Sequence, residues 1–564
     1  MTGISYEHPL AFWLGSAAIT LGVLLHLPFY FAASDRNYVL AGSSPDAPFM
    51  LGMLLIFGGL VATGYGLFPR LSEVSHGYVS RIKVRAMDDA PMKASHVGLL
   101  LVMAAAITID VMKPTTLAFI APGAALEYGL KGPLNPNADA LPIALYPLSG
   151  ISGTVVGSFV WGWLGDKIGR RASILLAAII FIAVAVCGAM PEYWMNLVVC
   201  FIMGLGVGGM LPITFALMAE TIPARHRGWL MVLIGGDVAG AYIITSWLAS
   251  TIAAPDAFGW RMLWLISLPT GLILILLNRW IPESPRFLLQ HGREEEARAI
   301  MERYGAVVVE GDESSVNVER DVKSRFATLF SGPFIGLSVV VLLLGIGIGM
   351  VQYGFQQWIP SNLQRLGFGE VDASKILRDS ALIGFPLNFP IAWLYGFWSA
   401  KKTIILMAAA TAAALIGFVI AGDSVVDNRT MLYVLLIVPI WGISSLTAVV
   451  AAYAAEVYPT RVRSRGTGLA AGATKFGGVM ILALVVAAIA APSISATAVI
   501  GAIPIVLAIV AIMIWGVETR KKQLERITAE ELHEGGDPVM RSSPSNGITD
   551  PPGGRPSRRM IGSA

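Results

Sequence analysis

Charge is what this chain of 564 residues has least of: only 14% of them are Asp, Glu, Lys or Arg, against about 25% in an ordinary soluble domain. A soluble fold of this length could not cover its surface with so few. Cys187 and Cys200 are the only cysteines, which excludes a disulfide framework. No His/Cys/Asp grouping has metal-ligand spacing and no Walker lysine motif is present. A resident metal, another cofactor or ATP as the driving force is therefore not expected. No nucleophile–base constellation points to an enzyme. Long basic runs are also missing and the net charge is only +3, so nucleic acid is excluded as a partner. What is abundant is apolar: 55% of residues are hydrophobic. That excludes disorder over most of the chain and leaves an all-α integral membrane protein in a lipid bilayer.

A spanning helix needs about 20 mostly apolar residues. Fourteen such runs lie near 10–33, 47–69, 95–122, 143–165, 171–190, 194–219, 229–253, 259–281, 333–358, 379–398, 402–421, 430–454, 466–491 and 494–516. A β-barrel would show short alternating segments instead. The first run is too long for a signal peptide core and is flanked by Glu7 and His8 rather than cations, so it reads as a retained helix. Arg70, Arg81, Lys83, Arg85, Lys167, Arg170, Arg171, Arg225, Lys401 and Arg461 fall on alternate loops. The positive-inside rule makes that side cytoplasmic, with both termini there. Five regions follow: a two-helix extension with its linker (1–90), a six-helix bundle (91–281), a charged cytoplasmic loop (282–332), a second six-helix bundle (333–519) and a Pro/Gly/Ser-rich tail (520–564) expected to be disordered.

Two cytoplasmic segments match each other. Ala219-Glu220-Thr221-Ile222-Pro223-Ala224-Arg225-His226-Arg227-Gly228 pairs with Ala455-Glu456-Val457-Tyr458-Pro459-Thr460-Arg461-Val462-Arg463. Each joins the fourth and fifth helices of its bundle, counted from residue 95. Duplicated halves point to a transporter with its site at the midplane between them. The segment Gly162-Trp163-Leu164-Gly165-Asp166-Lys167-Ile168-Gly169-Arg170-Arg171 resembles the loop between the second and third helices of the major facilitator superfamily. Pro282-Glu283-Ser284-Pro285-Arg286-Phe287-Leu288 resembles the close of the sixth helix in its sugar and metabolite porters. The resemblance covers about residues 95–520 and implies two six-helix bundles rocking about a central cavity. It implies no enzymatic activity. The second-half counterpart of the loop, Gly396-Phe397-Trp398-Ser399-Ala400-Lys401-Lys402, lacks the acid, which puts a symmetric gate in question. The extra pair is N-terminal, and Gly235-Gly236-Asp237-Val238 lacks an antiporter proline. Both features weigh against drug efflux.

Asp166 at a helix end suits the positive N-terminus of a neighbouring helix, and Arg170 and Arg171 suit pairing with Glu220. These residues are expected to gate the cytoplasmic side. Arg225, Glu283 with Arg286, and Glu456 with Arg461 are further expected latches, against a plain reading as helix-end caps. Ionisable residues inside spans are costly and mark function. Asp110 and Lys113 share a helix face three residues apart; a permanent structural pair is the plainer alternative. Asp110 is the first candidate for proton coupling and Asp237 the second. Lys475, where the resembled organic-acid and niacin-type porters carry an arginine, is the candidate anion site, with snorkelling to the surface as its plain reading. Lys113, Gln352, Tyr353, Gln356 and Asn388 complete the expected substrate contacts, against ordinary interhelical hydrogen bonding. Tyr242 is placed near the cavity or in packing, and Cys187, Cys200, His26 and His96 are expected only to pack.

The sequence thus predicts a monomeric secondary transporter of a small polar metabolite in the cell membrane. An organic anion moved with protons fits best, and a sugar or polyol porter, an exporter, or a membrane sensor built on a transporter fold are the alternatives.

Overall fold

Apolar runs of this length in a bilayer must satisfy every backbone polar group internally, and the helix does so within one segment. The computed structural model describes residues 8–67, 87, 90–307, 326–330, 334–458, 463–488 and 493–518, and among them no β-strand forms. Two isolated bridges, Lys131 with Pro142 and Gly132 with Asn135, tie one turn. Among the described residues, thirteen helices are long and apolar enough to cross a membrane. They are α1 (Pro9–Phe31), α2 (Ala47–Leu67), α3 (Ala94–Glu127), α5 (Arg170–Ala189), α6 (Tyr193–Thr221), α7 (Arg225–Ser250), α8 (Met262–Trp280), α9 (Ile335–Arg365), α10 (Glu370–Trp398), α11 (Ala400–Asp427), α12 (Arg429–Val457), α13 (Arg463–Ala488) and α14 (Ile494–Trp515). The fourteenth expected crossing, α4 (Leu145–Ile168), has 24 residues. It is long enough, but Gly, Ser and its terminal charges dilute its apolar character. The tail at 520–564 and most of the 68–89 linker lie outside the described residues.

The two halves are α3–α8 and α9–α14. Within the first, α4 packs on α6 and α5 on both α6 and α8; within the second, α9 packs on α13 and α14, and α11 on α14. The small residues of α6 let it approach α4, as the Gly-rich sequence predicts: a Cβ on Gly204 would strike the Gly150 carbonyl. Between the halves, α4 meets α13, and α7 meets both α10 and α12.

The first helices of the two halves are built differently. Helix α3 runs unbroken for 34 residues despite Pro114 and Pro122. Its counterpart α9 is α-helical over Ile335–Met350, opens into a π-turn over Val351–Phe355, tightens to a 3-10 turn over Gln356–Trp358, and resumes over Ile359–Arg365. Gln352 lies in the π-turn and Gln356 in the 3-10 turn, so regular helical spacing does not set their relative directions.

Helices α1 and α2 form a hairpin packed against α5 on the outside of the first half. His26 is fully buried in it, with Nδ1 2.7 Å from the Gly22 carbonyl and its ring against Phe49. The loop between them docks on the first half. Tyr30 donates to the Phe258 carbonyl, and the backbone N–H groups of Leu40 and Ala41 donate to Glu127 Oε1 at 2.7 and 3.0 Å.

Candidate functional site at the seam between the halves

Asp110 lies mid-way along α3, 2% exposed. Oδ1 has no hydrogen-bond partner among the described residues. Lys113 and Lys475 both stand within electrostatic reach of it, as does the Tyr353 hydroxyl. A buried carboxylate without a bonded partner is expensive in a bilayer, so two cations at a distance carry its compensation.

The two lysines point to different places. Lys113 turns into the first half: Nζ donates to Ser267 Oγ at 3.0 Å and Thr270 Oγ1 at 2.9 Å on α8, with the Phe181 ring 5.5 Å away. The expected Asp110–Lys113 pair is therefore not a bonded one, and Lys113 sits behind α3 rather than at the seam. Lys475 crosses the seam. From α13 it donates to Ser158 Oγ on α4 and, at 2.7 Å, to the Gly208 carbonyl on α6. It does not snorkel to the surface.

Asp237 lies at a break in α7 between Ala224–Gly235 and Val238–Ser250. Its Oδ2 accepts from Thr108 on α3. The amides expected to face substrate are engaged by protein. Asn388 donates to the Gly236 carbonyl across the seam at 3.0 Å and accepts from Ser445 at 2.7 Å. Gln356 donates to the Pro439 carbonyl at 3.0 Å. Tyr353 packs on Gly478, and Gln352 is half-buried. Tyr242 stacks edge-on against Phe119, and its hydroxyl is buried without a partner. Gln357 Nε2, Trp358 Nε1 and Trp441 Nε1 are likewise buried without a partner among the described residues. Such atoms are rare in folded proteins. Two tryptophans in apolar runs look like packing residues, so no signal in the sequence singles them out.

The expected gating residues divide into two groups. Arg170, Arg171, Glu220 and Glu283 bond within the first half. Arg170 Nη2 lies 3.6 Å from Glu220, and its Nη1 donates to the Gly165 carbonyl at 2.7 Å. Arg171 turns to the Asn278 carbonyl at 3.1 Å rather than to Glu220. Glu283 accepts the backbone N–H groups of Arg170 and Arg171 at 2.7 and 3.2 Å. It thereby caps the start of α5, where Gly169 has no side chain to do so. The acid on that helix N-terminus is thus Glu283. The side chains of Asp166 and Arg286 lie outside the described residues, as does Arg461. Burial pushes the Glu283 carboxyl up to about 7, against the pull of the Ser284, Arg170 and Arg171 backbone donors and the Arg170 charge.

The second group stands at the seam, on the cation-rich face. Glu456 accepts from Tyr395 at 2.7 Å and lies against Gly228 of the first half. Trp229 lies against Gly396 nearby, and Arg225 is exposed. On the opposite face the first half is welded by a buried ion pair that sequence reasoning missed. Arg261, 1% exposed, pairs with Glu127 at 2.7 Å, and also donates to the Met190 carbonyl and the Tyr128 hydroxyl. The partners are 134 residues apart, which no local pattern reveals.

Residues 98–443, more than half of the chain, match the family model of the Major Facilitator Superfamily. The chain belongs to that superfamily. It is 27% identical over 405 residues to the niacin transporter NiaP of Acinetobacter baylyi, covering 70% of this chain and 88% of that protein. It is 26% identical over 398 residues to the 4-hydroxybenzoate transporter PcaK of Pseudomonas putida, covering 66% and 82%. The structure of the proton:xylose symporter XylE with 6-bromo-6-deoxy-D-glucose superposes with a TM-score of 0.63 at 19% identity, covering 78% of this chain and 99% of XylE. The chain is accordingly a multi-pass secondary transporter of a small molecule in the metabolite and sugar porter-like branch, not an enzyme. The family match starts after α2, so the N-terminal hairpin lies outside it.

Proposed function

We propose that this transporter carries a small organic anion together with protons, by rocker-switch alternating access in the cell membrane. The cation-rich face and both termini are cytoplasmic in this reading. The observation that carries it is the disposition of Asp110 and Lys475. They come from opposite halves, lie at mid-depth within electrostatic reach of each other, and no ion pair joins them among the described residues. A substrate carboxylate supplies the anion that Lys475 lacks, and a proton neutralises Asp110. Asp237, held by Thr108, is the second proton site. NiaP and PcaK, named for niacin and 4-hydroxybenzoate, support a carboxylate. Lys113 acts from behind α3 as a fixed counter-charge, while Gln352 and Tyr353 border the site. In the gate, the Glu456–Tyr395 contact on Gly228 closes the cytoplasmic seam, and Arg170, Arg171, Glu220 and Glu283 keep the first half rigid as it rocks.

A neutral polyol is the second reading, favoured by the unpartnered donors of Gln357, Trp358 and Trp441. Thermal stability of the purified protein against nicotinate, 4-hydroxybenzoate, xylose and inositol separates the two, because a ligand of the folded state raises Tm by mass action. A carboxylate-specific rise that vanishes in Lys475→Met supports the anion reading. A rise with the neutral compounds alone, unchanged in Lys475→Met, replaces it with the polyol reading. In proteoliposomes Asp110→Asn keeps counterflow exchange and loses accumulation against a gradient; accumulation surviving in Asp110→Asn excludes Asp110 as the coupling acid.

A further inference from the structure

Lys475 makes hydrogen bonds from one half of the transporter to two different helices of the other. Its acceptors are well prepared. Ser158 Oγ lies 2.7 Å from the Thr154 carbonyl and 3.0 Å from the Gly208 carbonyl. The serine can therefore direct its own hydrogen to a backbone oxygen and its lone pairs to the ammonium. The Gly208 carbonyl gathers both Ser158 and Lys475. Ser158 and Lys475 are each half-buried. Ser158 lies ten residues from the cation-rich end of α4 and thirteen from the other. At about 1.5 Å per residue the bridge sits slightly toward the cation-rich side of mid-depth.

We infer that Ser158 and the Gly208 carbonyl are a parking site for the Lys475 ammonium: they hold it between substrates, and a substrate carboxylate takes it from them. Ser158 is a positioning residue in this scheme. The inference rests on the reading of Lys475 as the anion site. Its added content is that binding and unlocking are one event. While Lys475 is parked, two hydrogen bonds tie α13 to α4 and α6 and keep the halves together. When the ammonium turns to a carboxylate, those bonds are surrendered and the seam is free to open. A lysine suits this exchange because its charge is a compact point on a flexible stem with rotatable donors. The charged group acting on it is Asp110, which attracts it.

The consequence has an unusual sign. Removing the Ser158 hydroxyl weakens a competitor of the substrate, so the variant binds carboxylates more tightly. It also weakens the bridge, so the seam closes less firmly. A cysteine pair reports closure without any substrate. A Cβ on Gly396 would lie 3.0 Å from the Trp229 Cβ, so Trp229→Cys with Gly396→Cys cross-links when the cation-rich face is shut. The experiment uses the full chain in proteoliposomes, with Tm recorded for every variant because Ser158 also braces α4 on α6. Expected for Ser158→Ala is a clear fall in the cross-linked fraction, restored in Ser158→Thr. Lys475→Met shows the same fall, and adding Ser158→Ala to it causes no further change. With nicotinate or 4-hydroxybenzoate, whichever is carried, Ser158→Ala lowers KM roughly ten- to a hundredfold, the scale of one hydrogen bond to a charged group. Cross-linking in Ser158→Ala equal to the parent pair overturns the inference, as does a raised KM. Failure of the anion reading looks different: Lys475→Met then transports the carboxylate normally, whatever the cross-link shows.

Discussion

Glu283 accepts the backbone N–H of Arg170 at 2.7 Å, joining the end of the sixth helix of the first half to the start of its third. Glu518 does the same in the second half. It follows α14, the sixth helix there, and accepts the backbone N–H of Ala400 at the start of α11 at 3.0 Å, with the Ser399 hydroxyl donating to its other oxygen. The second copy of the loop motif lacks an acid at the matching position, which made a symmetric device doubtful on sequence. An acid from outside that loop does the docking seen among the described residues. It arrives from the far end of each half, and both halves have one.

Glu283 gives the protein a pH signature. Its carboxyl is raised from an ordinary 4.5 to about 7, so between those values the folded protein holds a proton that the unfolded chain has released. Stability from this group is complete below about 4.5 and is lost as pH rises through about 7. Thermal melts should show the wild type losing Tm from pH 5 to pH 8, with a flatter dependence in Glu283→Gln. An equal slope in both would remove Glu283 from the explanation.

Breaking the Glu127–Arg261 pair should be severe. Both side chains are buried, and removing one partner of such a pair costs about 3–5 kcal/mol. Glu127→Ala and Arg261→Ala should each lower Tm sharply. The double variant should lose much less than the sum, since neither single variant's stranded charge remains. Additive losses would show that the two residues act separately.

The N-terminal hairpin should travel with the first half. Its loop bonds Glu127 through Leu40 and Ala41 and the Phe258 carbonyl through Tyr30. Removing residues 1–90 exposes Glu127 and should reduce Tm while leaving the uptake rate per folded molecule unchanged. Uptake abolished in a truncated protein of normal Tm would instead give the hairpin a part in the transport cycle.

Close packing of α4 on α6 predicts a contrast between two glycines. Around Gly98 a Cβ meets nothing within 4 Å, whereas on Gly204 it strikes the Gly150 carbonyl. Gly98→Ala should be neutral or stabilising by up to about 1 kcal/mol, and Gly204→Ala should lower Tm and yield. Equal behaviour of the two would refute the close approach of these helices.

Much of this molecule was legible in its sequence because the bilayer imposes a simple grammar. Spans read as apolar runs, and Asp110, Asp237 and Lys475 stood out as charges inside them. What failed was direction and distance. Three-residue spacing put Asp110 and Lys113 on one face, yet the long lysine stem carries its ammonium to Ser267 and Thr270 on another helix. Glu283 reads as a partner for Arg286 three residues on, and nothing local points to the backbone of Arg170, 113 residues upstream. Asn388 and Gln356 looked like substrate ligands, since an amide does not announce whether a backbone carbonyl awaits it. Ser158, an unremarkable serine among glycines, acquires meaning only once α13 is laid beside α4.

The unlike construction of α3 and α9 has a mechanical corollary. An unbroken helix behaves as a beam: a tilt imposed at one membrane face reappears at the other. A helix interrupted by a π-turn and a 3-10 turn behaves as a jointed arm, whose two ends swing independently about Val351–Trp358. The two halves share an ancestry of form but cannot share a stroke. One half presents an unbroken beam, and the other a jointed arm at the level of the proposed site.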